Sequence, residues 1–426
     1  NGAPSAGRRK RMADIVPFRG ILYNTSRITG GDVVAPPYDI ITPELREILY
    51  RKSPYNIVRI DSGVEHATDN KADNKYQRAS AYLEQWQKEG LLVASEKPCF
   101  YAYEMEYDAE GKRKKLSGFF GLVGLVELGR GVYPHEGTHA KPKVDRLSLM
   151  IACNANTSPI FSLYNSPAKK ASGVVKRVIS AKPYLGAEDS DGSIHRLWKI
   201  EDDRDIAEIA QDLKDKAVYI ADGHHRYETA LEYKKMREEK AQSKSDSEPY
   251  DYVLMFLANI AEGDITILPT HRIVKHGRGD AIKMLSEHFT LTTLSPDDDI
   301  IKSMRGKSQT FGFFQKGDPN QYLLHYKGKN IRDIHPSLQG LDVTILHDLI
   351  LKEILRVSEV RYEMDASRAR GIVANGDSDA VFFLNPTQVE DVERVALSTM
   401  RMPPKSTYFY PKVMTGFVIN SFTISL

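Results

Sequence analysis

Ala217-Val218-Tyr219-Ile220-Ala221-Asp222-Gly223-His224-His225-Arg226-Tyr227-Glu228-Thr229-Ala230-Leu231 passes from an apolar strand pattern, through a polar turn, into a helical run. A strand that ends on Asp222 and a helix that opens near Tyr227 place five polar or flexible residues at one helix N-terminus. Unpaired N–H groups and the positive end of the helix dipole gather there. Gly223 allows a tight turn and close approach of a ligand. Arg226 adds a forked, permanently charged donor that suits phosphate oxygens. His224 and His225 can donate hydrogen bonds or move protons near neutral pH. Asp222 can cap the helix, orient a histidine or hold Mg²⁺ beside a phosphate. The bland alternative is an N-cap flanked by two surface histidines.

Outward from this turn the chain alternates strands and helices, which predicts a mixed α/β (α+β) fold. On the N-terminal side, strands are expected at Phe100 to Tyr107, Lys115 to Val126, Pro159 to Tyr164 and His195 to Ile200, and a helix at Ile206 to Asp215. Val33 to Asp39 reads as a buried strand entering a loop made rigid by Pro36 and Pro37. Thr42-Pro43-Glu44 reads as an N-cap with proline in the first turn of a helix. Ala72 to Glu89 carries Tyr76, Ala79, Tyr82, Leu83 and Trp86 at helical spacing, a core face. Tyr133 to Arg146 reads as a polar loop. Lys234 to Asp251 is the best candidate linker. It divides the chain into a first domain over 13–245 and a C-terminal α/β domain over 246–426. Residues 1–12 read as a tag or frayed tail.

The 426 residues are 41% hydrophobic and 27% charged, with a formal charge of +2. That balance gives little support to a nucleic-acid grip, so DNA is not expected as a partner. The two cysteines, Cys99 and Cys153, cannot build a disulfide framework and suit the cytoplasm. No apolar run reaches bilayer length. The sequence leaves the oligomeric state open.

Two further clusters carry chemistry. His135, Glu136, Lys141, Lys143, Asp145 and Arg146 lie within twelve residues; the two lysines and the arginine can clamp a polyphosphate, and Glu136 and Asp145 can take a proton or hold a metal. The letters His135-Glu136-Gly137-Thr138-His139 match a zinc-protease motif, which works only on a continuous helix. Pro134, Gly137 and Pro142 argue against that helix. Lys405 and Ser406, with Thr407 and Lys412 nearby, form a late cationic cluster without the glycines of a P-loop. His271-Arg272 follows Pro269-Thr270 as a comparable pair.

Asp222-Gly223-His224-His225-Arg226 resembles the signature turn of ParB/sulfiredoxin-like proteins, which include free serine kinases. Most of the chain after Met12 resembles a prokaryotic domain-of-unknown-function 1015 family. That second resemblance rests on Val34 to Asp39, Pro134 to Thr138, Lys143, Asp145-Arg146, Pro269 to Arg272 and Met402 to Thr407. It implies a ParB/sulfiredoxin-like domain with a large insertion. His224 stands where sulfiredoxins carry a reactive cysteine, which excludes sulfinic-acid repair. The helix-turn-helix of DNA-partitioning proteins is not legible.

The expected function is a phosphotransferase acting on a small hydroxylated metabolite, free serine being the nearest analogue. ATP, ADP or pyrophosphate is the expected donor. Asp39, Glu136, Asp222, His224 and His225 are the catalytic candidates, with Asp39 as base and Glu44 as a substitute. Gly223, Arg226, Lys143, Arg146, Lys405 and Ser406 are the phosphate-binding candidates. Mg²⁺ is the expected cofactor, on Asp222 or Asp145. A nucleotide-binding ParB-like regulator and a phosphoester hydrolase are the alternatives.

Overall fold

The structure is a computed structural model and describes residues 12–28, 30–138, 140–241, 247–275, 280–328, 331, 334–357 and 359–424. Residues 1–11, where the tail was expected, and His139 lie outside the described residues. The fold is mixed α/β, as its alternating pattern predicts. It divides into two compact units, the first of 1–134, 138–265 and 411–426, the second of 135–137 and 266–410.

The first unit is built on a nine-stranded mixed sheet. Its strands are β1 (Ile15–Val16), β2 (Phe100–Ala109), β3 (Lys112–Gly124), β4 (Val132–Tyr133), β5 (Ile160–Tyr164), β6 (Leu185–Glu188), β7 (Ile194–Ile200), β8 (Val218–Asp222) and β9 (Tyr252–Asn259). The order is β4-β8-β5-β9-β3-β2-β7-β6, with β1 on β3. β8 runs parallel to β4 and antiparallel to β5, and β9 runs parallel to β5. The β2–β3 hairpin turns at Glu110-Gly111, both at positive φ, the two-residue turn that matches strand twist.

The helices are α1 (Pro43–Lys52), α2 (Val58–Asp61), α3 (Lys75–Lys88), α4 (Ala140–Cys153), α5 (Lys170–Val178), α6 (Asp203–Leu213) and α7 (His224–Lys240). Thr42 caps α1 through a 3.2 Å bond from the Leu45 N–H, with Pro43 in the first turn, as the sequence predicts. Val174, Val175, Ile209, Leu213, Ala230 and Tyr233 join the apolar residues Phe119, Ile160, Val218, Ile220, Met255 and Leu257 in one core. Tyr103, Phe120, Phe161, Phe256 and Phe417 form a linked aromatic cluster.

Three expectations are corrected. The stretch 133–146 is not one loop, because α4 begins at Ala140. Pro142 falls in its first turn, where a missing N–H costs nothing. Val33 to Asp39 makes no ladder; Ala35 forms a single bridge with Thr415, and Tyr38–Ile40 is a 3-10 turn. The unit boundary is not at 245/246. β9 pairs with β3 and β5, so the first unit continues to Ile265 and takes back residues 411–426.

The second unit holds a six-stranded antiparallel sheet of β10 (His271–Lys275), β11 (Phe289–Leu294), β12 (Thr310–Gln315), β13 (Gln321–Tyr326), β14 (Glu359–Glu363) and β15 (Ala380–Phe383), in the order β11-β13-β12-β15-β10-β14. The helical segment that begins at Asp342–Thr344 continues as a π-helix over Ile345–Ile354. No helix among the described residues is long and apolar enough to cross a membrane.

Asp342 accepts a 2.8 Å bond from the Gln309 N–H. Burial pushes its carboxyl up to about 6; Gln309 opposes this and nearby Asp391 adds to it. A raised carboxyl pKa means that the fold favours the neutral form. The penalty is absent below about pH 4, grows as pH rises to about 6 and then levels off. Asp342→Asn keeps an acceptor and removes the charge. It should therefore stabilise the second unit at pH 7 by roughly 1–3 kcal/mol and flatten this pH dependence. Hydrogen exchange across the second unit of both proteins at pH 4 and pH 7 checks it; the same pH dependence in the two would count against the assignment.

Candidate functional site

β8 delivers Asp222 to the N-terminus of α7, so the pentapeptide sits at a strand-to-helix junction as its sequence predicts. Gly223 is the N-cap at φ 95°, a conformation that glycine adopts without strain. The space left by its missing Cβ is filled from within the chain. A Cβ there would lie 2.8 Å from Nε of Arg226. The guanidinium folds back over the turn, donating to the Pro159 carbonyl and, at 3.1 Å, to Oδ2 of Asp222. Arg226 is 7% exposed, and its buried Nε has no partner among the described residues. His224 is buried and His225 half-buried on the same turn.

A cavity of about 190 Å³ lies among α1, α2, α3 and α4, lined by Tyr38, Arg46, Asp61, Lys75, Tyr76, Asp145 and Arg146 with others. Arg146 is its centre. Its Nε and one terminal nitrogen donate to Oδ2 of Asp145 at 2.9 and 2.6 Å. The other donates to the Asp61 carbonyl at 2.9 Å and to its Oδ1 at 3.3 Å. Lys75 and the Tyr76 hydroxyl hold Oδ1 of Asp145 at 2.7 and 2.9 Å. Burial pushes the Asp145 carboxyl up, but Arg146 and Lys75 outweigh it and bring it to about 2. Asp61 is 1% exposed; Thr157 donates to its Oδ1 at 2.8 Å, while its Oδ2 is buried without a partner. Arg46 makes no ion pair among the described residues, and its Nε is also unpartnered.

Tyr38 joins the cavity to the turn. The Arg146 guanidinium lies 4.1 Å over its ring. Burial pushes its hydroxyl up to about 12, Arg226 and Arg146 pull it down, and Asp39 and Asp222 push it further up. The phenol therefore sits in the field of both clusters.

The family described as "Protein of unknown function (DUF1015)" matches residues 15–344. The chain belongs to that family. No curated protein matches this DUF1015 chain. Among solved structures, "Free serine kinase in complex with AMP" is 13% identical, covers 68% of this chain and 86% of its own, and has a TM-score of 0.35. "SbnI with C-terminal truncation from Staphylococcus aureus" is 14% identical, with 70% and 86% covered and a TM-score of 0.37. "Conserved hypothetical protein from Pyrococcus furiosus" is 12% identical, with 72% and 96% covered and a TM-score of 0.35. Overlap at this level is distant.

Asp39, Lys143, Asp145, Arg146, Asp222, Gly223, His224, His225 and Arg226 all belong to the first unit of this DUF1015 chain. Asp39 and Glu44 are both exposed. Lys143 bonds Glu228 of α7 at 3.1 Å, and Thr138 donates to the same oxygen at 2.6 Å. Glu136, Lys405 and Ser406 belong to the second unit. There Glu136 forms a bridge with Met402 and accepts from the Thr407 N–H and hydroxyl. Ser406 donates to the Pro403 carbonyl and so shapes its own turn. Arg272 is likewise structural: it donates to the carbonyls of Thr270 and Lys405, and burial draws it down to about 10. His135 and Glu136 lie outside any helix, so the zinc-protease geometry is absent at the described part of that motif.

The donor set does not fit a protein-held Mg²⁺. Asp145 spends both oxygens on Lys75, Tyr76 and Arg146, and the two oxygens of Asp222 face Arg226 and Lys412. No group of three metal-ligating side chains occurs among the described residues. Sequence reasoning missed Asp61, Lys75, Tyr76 and Arg46. Their only signal is position: Asp61 closes the largely apolar Ile57-Val58-Arg59-Ile60, and Tyr76 sits at the start of a face otherwise given to the core.

Proposed function

We propose that the first unit is a phosphotransferase that moves a phosphoryl group from ATP, ADP or pyrophosphate to the hydroxyl of a small metabolite, with serine as the nearest analogue. The observation that supports it best is the buried Oδ2 of Asp61, without a partner among the described residues, on a residue that lines a cavity of mixed charge. A buried carboxylate oxygen without a donor is costly, and the hydroxyl of an acceptor would supply that donor. A cavity of about 190 Å³ suits a metabolite of amino-acid size rather than a whole nucleotide, since drug-sized ligands fill roughly 300–1,000 Å³.

The steps follow from the residues. Asp61 takes the hydroxyl proton as that oxygen attacks the terminal phosphorus, and the bond to the donor's bridging oxygen breaks. ADP, AMP or phosphate then leaves with the electron pair. Arg46 and the Gly223–Arg226 turn hold the charge on the transferring group, which is most of what this reaction asks of a protein. Asp61 replaces Asp39 as the base because Asp39 is exposed and outside the cavity lining. Phosphorus NMR of the protein with each donor and a panel of small alcohols, serine first, tests the reading. A new phosphomonoester signal is the expected result. Release of phosphate alone would make the protein a hydrolase, and no turnover with any donor would overturn the proposal.

A further inference from the structure

The last described stretch of the first unit, residues 411–424, lies outside the family match, which ends at residue 344. It runs back as a strap along elements that carry the site. Thr415 exchanges backbone bonds of 2.8 and 3.1 Å with Ala35, three residues before Tyr38. The Met414 N–H donates to the Tyr103 hydroxyl at 3.3 Å, and that hydroxyl meets Nδ1 of His195 at 2.8 Å. The far nitrogen of His195 lies 3.1 Å from the Asp189 carboxylate. This buried chain of bonds fixes the strap in register. Asn420 pairs with Asn156, next to the Thr157 that bonds Asp61.

Held this way, Lys412 places its ammonium 3.7 Å from Oδ1 of Asp222, with its side chain only 10% exposed. Lys412 is half-buried, and its pairing with Asp222 is what lets a lysine leave water. Asp222 already meets Arg226 at 3.1 Å through its other oxygen. One carboxylate thus faces two cations at the positive end of a 17-residue helix. The buried, unpartnered Nε of Arg226 faces the same N-cap. We propose that Lys412, carried in by the C-terminal strap, is a phosphate-binding residue of this site and holds the donor's phosphate together with the α7 N-terminus and Arg226. This rests on the phosphotransferase reading and extends it to a segment beyond the family match.

Calorimetric titration of the full chain with pyrophosphate and with ADP tests the role. Lys412→Met should weaken binding roughly ten- to hundredfold, the range for a hydrogen bond to a charged group. Lys412→Arg, which keeps the charge, should recover most of that loss, and the salt dependence of binding should become shallower in Lys412→Met. Should Lys412→Met fail to fold, the wild-type protein answers the question. Pyrophosphate should then shield Lys412 from acetylation by an N-hydroxysuccinimide ester, read by mass spectrometry. Equal affinity in wild type and Lys412→Met, or unchanged labelling of Lys412 at saturating pyrophosphate, overturns this inference and leaves the phosphotransferase standing. Absence of any binding by the wild type overturns both.

Discussion

Arg146→Met is expected to destabilise the first unit by roughly 3–5 kcal/mol, the cost of removing one partner from a buried ion pair. The variant leaves Asp61, 1% exposed, without its one ion-pair partner among the described residues. Asp145 keeps Lys75 at 2.7 Å and the Tyr76 hydroxyl, so its loss is partial. Tyr38 loses the guanidinium that covers its ring. The pH dependence should change with it. In the wild type Asp145 sits near 2 in the fold, so its contribution is complete above about pH 4 and lost as pH falls towards 2. Without Arg146 the folded value rises and less of that contribution remains at any pH. Arg146→Lys should restore only part of it, because an ammonium cannot bond Asp145 and Asp61 with a planar fork. Because the chain has two units, a single unfolding midpoint is a poor readout. Hydrogen exchange across α2 and α4 is the measurement, and protection unchanged to within about 1 kcal/mol would refute the central place given to Arg146.

Local signals were legible where one segment carried its own instructions. The strand-turn-helix at Asp222, the Thr42-Pro43 cap of α1 and the Glu110-Gly111 hairpin each announce themselves within a few residues. The strap did not, because its meaning lies in Ala35, Tyr103 and Asp222, all about two hundred or more residues away in sequence. α4 was hidden by two prolines flanking a motif, although a proline in the first turn is compatible with a helix. The linker at 234–251 looked like a boundary because charge marks solvent, not separation; the strand after it inserts between β3 and β5. At the site, the charges of Asp145 and Arg146 suit a metal ligand and a phosphate ligand. Adjacent in sequence, they neutralise each other in space, and that pairing cannot be read from composition. Asp61 carries no signal of its own, because a lone acid after a largely apolar run looks like an ordinary helix end. Only burial, and an oxygen left without a donor, distinguish it.

Asp61→Asn should lower the rate of phosphoryl transfer by about 10²–10⁴-fold, the contribution typical of a positioned general base. The substitution is nearly isosteric. Its amide oxygen can still accept from Thr157 and Arg146, which now bond Oδ1 at 2.8 and 3.3 Å. Arg146 also retains Asp145, so folding should suffer less than in Arg146→Met. What the amide cannot do is take a proton from an attacking hydroxyl. The loss should therefore appear in kcat and leave the KM of the acceptor within a few-fold, since an interaction made only in the transition state is the one removed. Asp39→Asn is the necessary companion. Asp39 is exposed on the 3-10 turn beside Tyr38, so its removal should change kcat little. If the two variants behave the other way round, Asp39 is the base and the orphaned oxygen of Asp61 answers to a bound water. If both retain full activity, proton removal is not assisted by either carboxylate, and catalysis must rest on the cations that hold the transferring phosphate.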